Sequence, residues 1–304
     1  MFVPVRRLAL LILSMSLSFS WSAEHRVLIL GDSITFAGGW ATLVESGLRR
    51  TPDFSEATII NAGLPSETVS GLSEPDHAGG KFPRPCLHER LSRVLASCKP
   101  TLVLACYGMN DGIYLERDPV RQAAYQTGMT TLHDAVIAAQ ARFIAITPPL
   151  FSADHPPGKN NYDLVLDAYS SWLVSRRTDG WEVVETRTAL RQAVADAKAK
   201  DPGFIYAKDS VHPGTQGHRF IALATWAGLA PLLGLKLDTP FAAEPALGTL
   251  TKRHEVLKLA WLTETKHLRP GIPAGLPLGQ AETKADELLT LYRQQTLPGS
   301  PATP

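Results

Sequence analysis

Ser33 stands in Gly31-Asp32-Ser33-Ile34-Thr35, directly behind the apolar run Val27-Leu28-Ile29-Leu30. A β-prone segment that ends in Gly-Asp-Ser and gives way to a helical stretch places its serine at the carboxyl end of a strand, where open α/β sheets build their sites. Ser33 is therefore a candidate nucleophile; its plainer reading is a helix N-cap, the hydroxyl accepting a backbone N–H. Three later segments add chemistry. Asn61-Ala62-Gly63 ends a second apolar segment, Gly108-Met109-Asn110-Asp111 follows a third, and Asp209-Ser210-Val211-His212-Pro213 lies just before a long helical stretch. Acyl transfer needs a nucleophile, a base, a group that holds the tautomer of the base, and donors aimed at the developing oxyanion. The four segments hold residue types for each of these roles. Singly, they also read as turn punctuation at the glycines, a surface histidine at His212 and a turn cap at Asp209.

Taken together and in this order, the blocks at Ser33, Gly63, Asn110 and His212 resemble those of the SGNH hydrolases, also called the GDSL esterase/lipase family, over about residues 26–233. The resemblance implies a three-layer α/β/α sandwich around a flavodoxin-like, five-stranded parallel sheet. It implies a Ser33–His212–Asp209 triad in which Ser33 attacks the acyl carbon and His212 takes the hydroxyl proton and returns it to the leaving alcohol. Asp209, three residues earlier in a turn, can reach the far ring nitrogen of His212 and stabilise the imidazolium. It also implies an oxyanion hole from the backbone N–H groups of Ser33 and Gly63 and the side-chain amide of Asn110. Those residue types suit an oxyanion hole, because glycine lets a carbonyl approach the backbone closely and an amide donates without adding charge. Asp32 and Asp111 read as structural, holding loops by side-chain to backbone hydrogen bonds. No metal and no organic cofactor is implied, and kcat/KM is expected to rise as His212 loses its proton. The Gly-x-Ser-x-Gly elbow of α/β-hydrolases is missing around Ser33, which disfavours that fold.

The elements that must carry these residues follow from periodicity. Apolar segments at residues 25–30, 58–62, 101–106, 142–147 and 181–185 alternate with helix-periodic stretches at 40–49, 87–97, 119–140, 163–177, 188–200 and 216–233. Strands alternating with helices argue for a parallel sheet covered on both faces. From Leu64 to Pro85 the pattern lapses into Gly, Pro, Ser and charged residues, a length at which a loop is usually functional or mobile. It reads as part of the site rim or as a disordered insertion. Beyond residue 235, prolines punctuate two further helical stretches, 247–265 and 280–295, and residues 298–304 read as a frayed tail. The expected organisation is a leader over residues 1–22, a hydrolase domain over 23–235 and a helical extension over 236–304.

The leader is read from Arg6 and Arg7, an apolar run from Leu8 to Phe19 broken by serines, and small residues flanking Trp21. That order fits a cleavable signal peptide, with a run short of the about 20 residues that span a bilayer. Cleavage is expected after Ser22 or Ala23, giving a secreted or periplasmic protein without stable membrane insertion. The 304 residues carry 30 basic and 29 acidic side chains, a formal net charge of +1. The balance provides no electrostatic footprint for nucleic acid. Cys86, Cys98 and Cys106 allow at most one internal disulfide, with Cys86–Cys98 the expected pair. No CxxC or HExxH spacing appears, so zinc has no sequence support.

For substrate, an acetylated carbohydrate is the preferred expectation. The loop carries His77, Lys81, Phe82 and Arg84, and the rings of Phe36, Trp40, Tyr107 and Tyr114 lie near the blocks, where they could stack on sugars or pack in the core. The alternatives are a lysophospholipase or arylesterase of the same family, and a non-catalytic glycan-binding envelope protein.

Overall fold

The computed structural model describes residues 25–152, 162–236 and 241–296. The leader, including its cleavage point, and the tail from residue 297 lie outside the described residues.

Five strands form one parallel sheet: β1 (Arg26–Gly31), β2 (Thr58–Asn61), β3 (Leu102–Cys106), β4 (Arg142–Ile146) and β5 (Glu182–Val184), in the order β2-β1-β3-β4-β5. Leu28, Ile29 and Leu30 of β1 and Val103, Leu104 and Ala105 of β3 have no solvent exposure. Such continuous apolar runs are what a parallel sheet covered on both faces requires. All five strands lie within one residue of the expected bounds at each end.

The covering helices are α1 (Ser33–Phe36), α2 (Gly39–Arg49), α3 (Leu87–Cys98), α4 (Pro119–Ala138), α5 (Asp163–Ser175), α6 (Arg187–Lys200) and α7 (Thr215–Leu232). Two more, α8 (Ala246–Glu264) and α9 (Leu278–Thr296), form an antiparallel pair; α8 packs on α2 and beside edge strand β2. The strand order reverses around β1, whose neighbours β2 and β3 lead away on opposite sides. In open α/β sheets the crevice outside the carboxyl ends of strands at such a switch point is where ligands bind. The register brings the needed ends level there: Gly31 pairs with Cys106, and Ile29 with Asn61.

One expectation is corrected, and one open alternative is decided. Cys86, Cys98 and Cys106 are all free thiols. Cys86 caps the start of α3 and Cys98 ends it, and a 12-residue helix at ~1.5 Å per residue separates them by roughly 18 Å, far beyond disulfide reach. The 64–85 segment is not a disordered insertion. Thr68 bridges to Cys86, and the Asp111 carboxylate accepts the backbone N–H groups of Val69 and Ser70, both at 2.8 Å.

Candidate active site

The serine comes first in α1, the single turn that opens after β1. Asp32 caps it, its Oδ1 accepting the Ile34 N–H at 2.9 Å. Ser33 is thus the residue after the cap, its side chain free to leave the helix and its N–H in the first turn, where a helix has no acceptor of its own to offer. Burial pushes the Asp32 carboxyl up to about 7, against the pull of the Ile34 N–H, and the nearby Asp111 carboxylate adds to the rise.

His212 sits in the turn before α7. Its Nε2 lies 2.8 Å from Ser33 Oγ, and its Nδ1 lies 2.6 Å from Asp209 Oδ2. The other oxygen of Asp209 accepts the backbone N–H groups of His212 at 2.8 Å and Val211 at 3.0 Å. Partial burial works against the Asp209 charge, but the hydrogen bonds from His212 N–H, the His212 ring and Val211 N–H outweigh it and hold this carboxyl below its ordinary range. An ionised Asp209 keeps the proton of neutral His212 on Nδ1, which leaves Nε2 as the acceptor of the Ser33 hydroxyl hydrogen. The turn is tight: Ser210, between them, is fully buried with φ +74°. Both acidic and imidazole side chains are about half exposed, 55% and 51%.

Asn110 follows β3, and its amide is locked. Its Oδ1 accepts from Arg84 Nη1 and from Tyr114 O–H, both at 2.9 Å, and its Nδ2 donates to Glu67 O at 3.2 Å. Two donors on the oxygen side establish which end is NH2, and one N–H of that group remains unspent. Arg84 is itself fixed by a bidentate pair with Glu74, 2.6 and 2.5 Å. The 64–85 loop therefore reaches the site as the clamp on Asn110.

Gly63 follows β2. A Cβ there would come within 2.6 Å of Phe36 N and 2.9 Å of Thr35 Cγ2, so only glycine lets this turn lie against α1. Its N–H, expected in an oxyanion hole, donates to Asn61 Oδ1 at 2.8 Å. An oxyanion could therefore take it only as a shared hydrogen.

Beneath the site lies a buried charge network that the sequence motifs did not reveal. Arg90 makes a bidentate pair with Glu67, 2.6 and 2.7 Å, and also donates to Ala62 O; Tyr107 O–H donates to Glu67 at 2.6 Å. Tyr107 and Trp40 are 1% exposed, so both belong to the core and neither can stack on a sugar. Phe36 and Tyr114 are half-buried. Among the described residues no group of three or more His, Cys, Asp or Glu side chains could hold a metal ion.

Residues 29–220 match the GDSL-like Lipase/Acylhydrolase family, more than half of the chain. The protein belongs to that family. It is accordingly an ester hydrolase of the SGNH/GDSL type, and α8 and α9 lie beyond the matched region. A search of curated proteins gives no match. Solved structures share the fold at low identity. A catalytic mutant of an acetylxylan esterase from Geobacillus stearothermophilus is 18% identical with a TM-score of 0.53, over 70% of this chain and 95% of that one. A second acetyl xylan esterase is 19% identical with a TM-score of 0.51, over 66% and 98%. A gut microbial diltiazem-metabolizing enzyme is 17% identical with a TM-score of 0.52, over 67% of this chain; the match spans 46% of that longer protein.

Proposed function

We propose that this protein is an exported serine esterase that removes small acyl groups, acetyl above all, from carbohydrates. The observation that carries the catalytic part is the unbroken chain Ser33 Oγ to His212 Nε2 at 2.8 Å and His212 Nδ1 to Asp209 at 2.6 Å. Ser33 Oγ attacks the ester carbonyl carbon while its proton passes to His212 Nε2. The tetrahedral oxyanion is met by the Ser33 N–H and the unspent N–H of Asn110, with Gly63 N–H shared between it and Asn61. His212 then returns the proton to the departing alcohol oxygen as the ester C–O bond breaks, leaving an acyl-Ser33. Water, deprotonated by His212, repeats the sequence and releases the acid.

The carbohydrate preference draws on the polar rim and on fold likeness to two acetylxylan esterases. Arg84, Glu74 and Tyr114 flank Asn110, with the exposed Lys81 further along the same loop. A polar, partly exposed surround suits a substrate that hydrogen-bonds better than one needing an apolar sleeve. Export is supported by the leader read over residues 1–22, which would carry the enzyme out of the cytoplasm to where such glycans occur.

The test is a panel read as kcat/KM: acetylated xylooligosaccharides, p-nitrophenyl esters from acetate to decanoate, and a lysophospholipid. Release of acetate from the oligosaccharides, with turnover falling steeply beyond butyrate, is the expected result. Decanoate and lysophospholipid turned over faster than any acetyl ester would overturn the substrate class in favour of a lipolytic one. Intact mass of protein exported by its native host should begin after Ser22 or Ala23; a chain starting at Met1 would remove the export part.

A further inference from the structure

The most unusual contacts near Ser33 come from outside the family's matched region. His254 and Lys258 lie one turn apart on α8, both with side chains only 3% exposed. His254 Nε2 is 2.7 Å from Asn61 Nδ2, and Lys258 Nζ donates to Phe36 O at 2.7 Å while lying 4.1 Å from the Phe36 ring centre. Asn61 Nδ2 also donates to Thr35 O at 2.7 Å, and its Oδ1 holds the Gly63 N–H at 2.8 Å. One carboxamide thus joins three things: the helix that presents Ser33, the Gly63 turn and α8.

The chemistry of the partners leaves one arrangement. Thr35 O can only accept and Gly63 N–H can only donate, so the amide end of Asn61 faces Thr35 and its oxygen faces Gly63. His254 Nε2 must then accept from Asn61, which places the imidazole proton on Nδ1, toward Glu45 Oε2 at 3.6 Å. Glu45 stays anionic because Arg49 and Arg253 overcome the cost of its burial. Packing fixes the ring as well: a Cβ on Gly38, two residues past the end of α1, would come within 3.1 Å of His254 Cδ2. Lys258 adds a cation at the carboxyl end of α1, where a helix carries its negative pole.

We infer that the α8 helix is part of the catalytic apparatus, with His254 and Lys258 acting as positioning residues that hold α1 and the Gly63 turn at the spacing the oxyanion needs. The inference rests on the Ser33 esterase reading. It explains why Asn61 spends both of its N–H groups on the backbone of Thr35 and on α8, and why a helix beyond the family's matched region presses against the back of the nucleophile turn.

The experiment compares His254→Leu with His254→Gln, whose carbonyl oxygen can again accept from Asn61, in the full-length enzyme with p-nitrophenyl acetate. Losing one aligned hydrogen bond, about 1–1.5 kcal/mol, should lower kcat about tenfold in the leucine variant with KM within about twofold. The glutamine variant should recover most of that loss at a similar Tm. Wild-type kcat in a leucine variant whose Tm has dropped, or equal kcat losses in both variants, would reduce α8 to a structural prop. Should the leucine variant not fold, Lys258→Met carries the same test, since it keeps the stem on Phe36 and removes only the ammonium; an unchanged kcat there overturns the inference. Labelling Ser33 with a fluorophosphonate in each variant separates the two levels. An unlabelled wild-type serine refutes the esterase reading itself, whereas a labelled serine with unaltered turnover in the variants refutes only the role of α8.

Discussion

Replacing Asn110 by alanine should cripple turnover while leaving most of the fold in place. The side chain has two N–H groups, of which one is committed to Glu67 O at 3.2 Å; the other is the donor the oxyanion would lose. The remaining donors are the Ser33 N–H and a Gly63 N–H already given to Asn61 at 2.8 Å. With one of its companions shared, Asn110 should account for the upper part of the usual range for such a donor, so kcat should fall by about 10³, some 4 kcal/mol of transition-state stabilisation. KM for p-nitrophenyl acetate should change by less than about threefold, because the charge to be stabilised develops after binding. The fold should tolerate the change: Arg84 keeps its bidentate hold on Glu74, and Tyr114 keeps its ring packing against Tyr162 and Phe151. Steady-state kinetics beside a urea melt would check both halves. A kcat within about tenfold of wild type in a folded variant would remove Asn110 from the oxyanion hole.

Other expectations follow from the same geometry. Asp32 is raised to about 7 in the folded protein from 3.8, so the native state holds its proton across pH 4–7 while the unfolded chain releases it. Its carboxyl therefore costs stability progressively as pH climbs through that window, by up to a few kcal/mol. Asp32→Asn, which can still cap α1, should gain stability relative to wild type from pH 4 to pH 8 in urea melts; a difference independent of pH would contradict this. Glu67→Gln leaves the fully buried Arg90 without its carboxylate and should cost about 3–5 kcal/mol in the same assay; a loss under 1 kcal/mol would show the network to be dispensable. Protein exported by its native host and unfolded without reductant should titrate three thiols, and a count of one would show an internal disulfide.

What the sequence could reveal depended on how local the signal was. The strands were legible because each is a short apolar run, and Ser33, Gly63 and Asn110 were picked out as candidates by the resemblance of their blocks to those of the SGNH hydrolases. Asp209 and His212 were legible as a pair three residues apart, a spacing one turn can close. The clamp on Asn110 was not. Arg84 and Tyr114 read as possible sugar contacts because their type is compatible with that, whereas the choice of partner is made in three dimensions. The Glu67–Arg90–Tyr107 network and the His254–Asn61 contact escaped for the same reason: partners 23 to 193 residues apart leave no periodic trace. The loop from 64 to 85 looked structureless because it is held by ion pairs and by Asp111, not by a buried apolar stripe. Trp40 and Tyr107 were open between site and core; their burial decides for the core.

The central claim is that Ser33 is an activated nucleophile, and a small fluorophosphonate tests it without knowledge of the substrate. Intact-mass analysis of the folded protein beside its Ser33→Ala variant should show one adduct on the wild type and none on the variant, with ester turnover lost in step with labelling. A folded wild type that takes no adduct, or a variant that is labelled equally, would contradict the account and leave the fold to a role in binding.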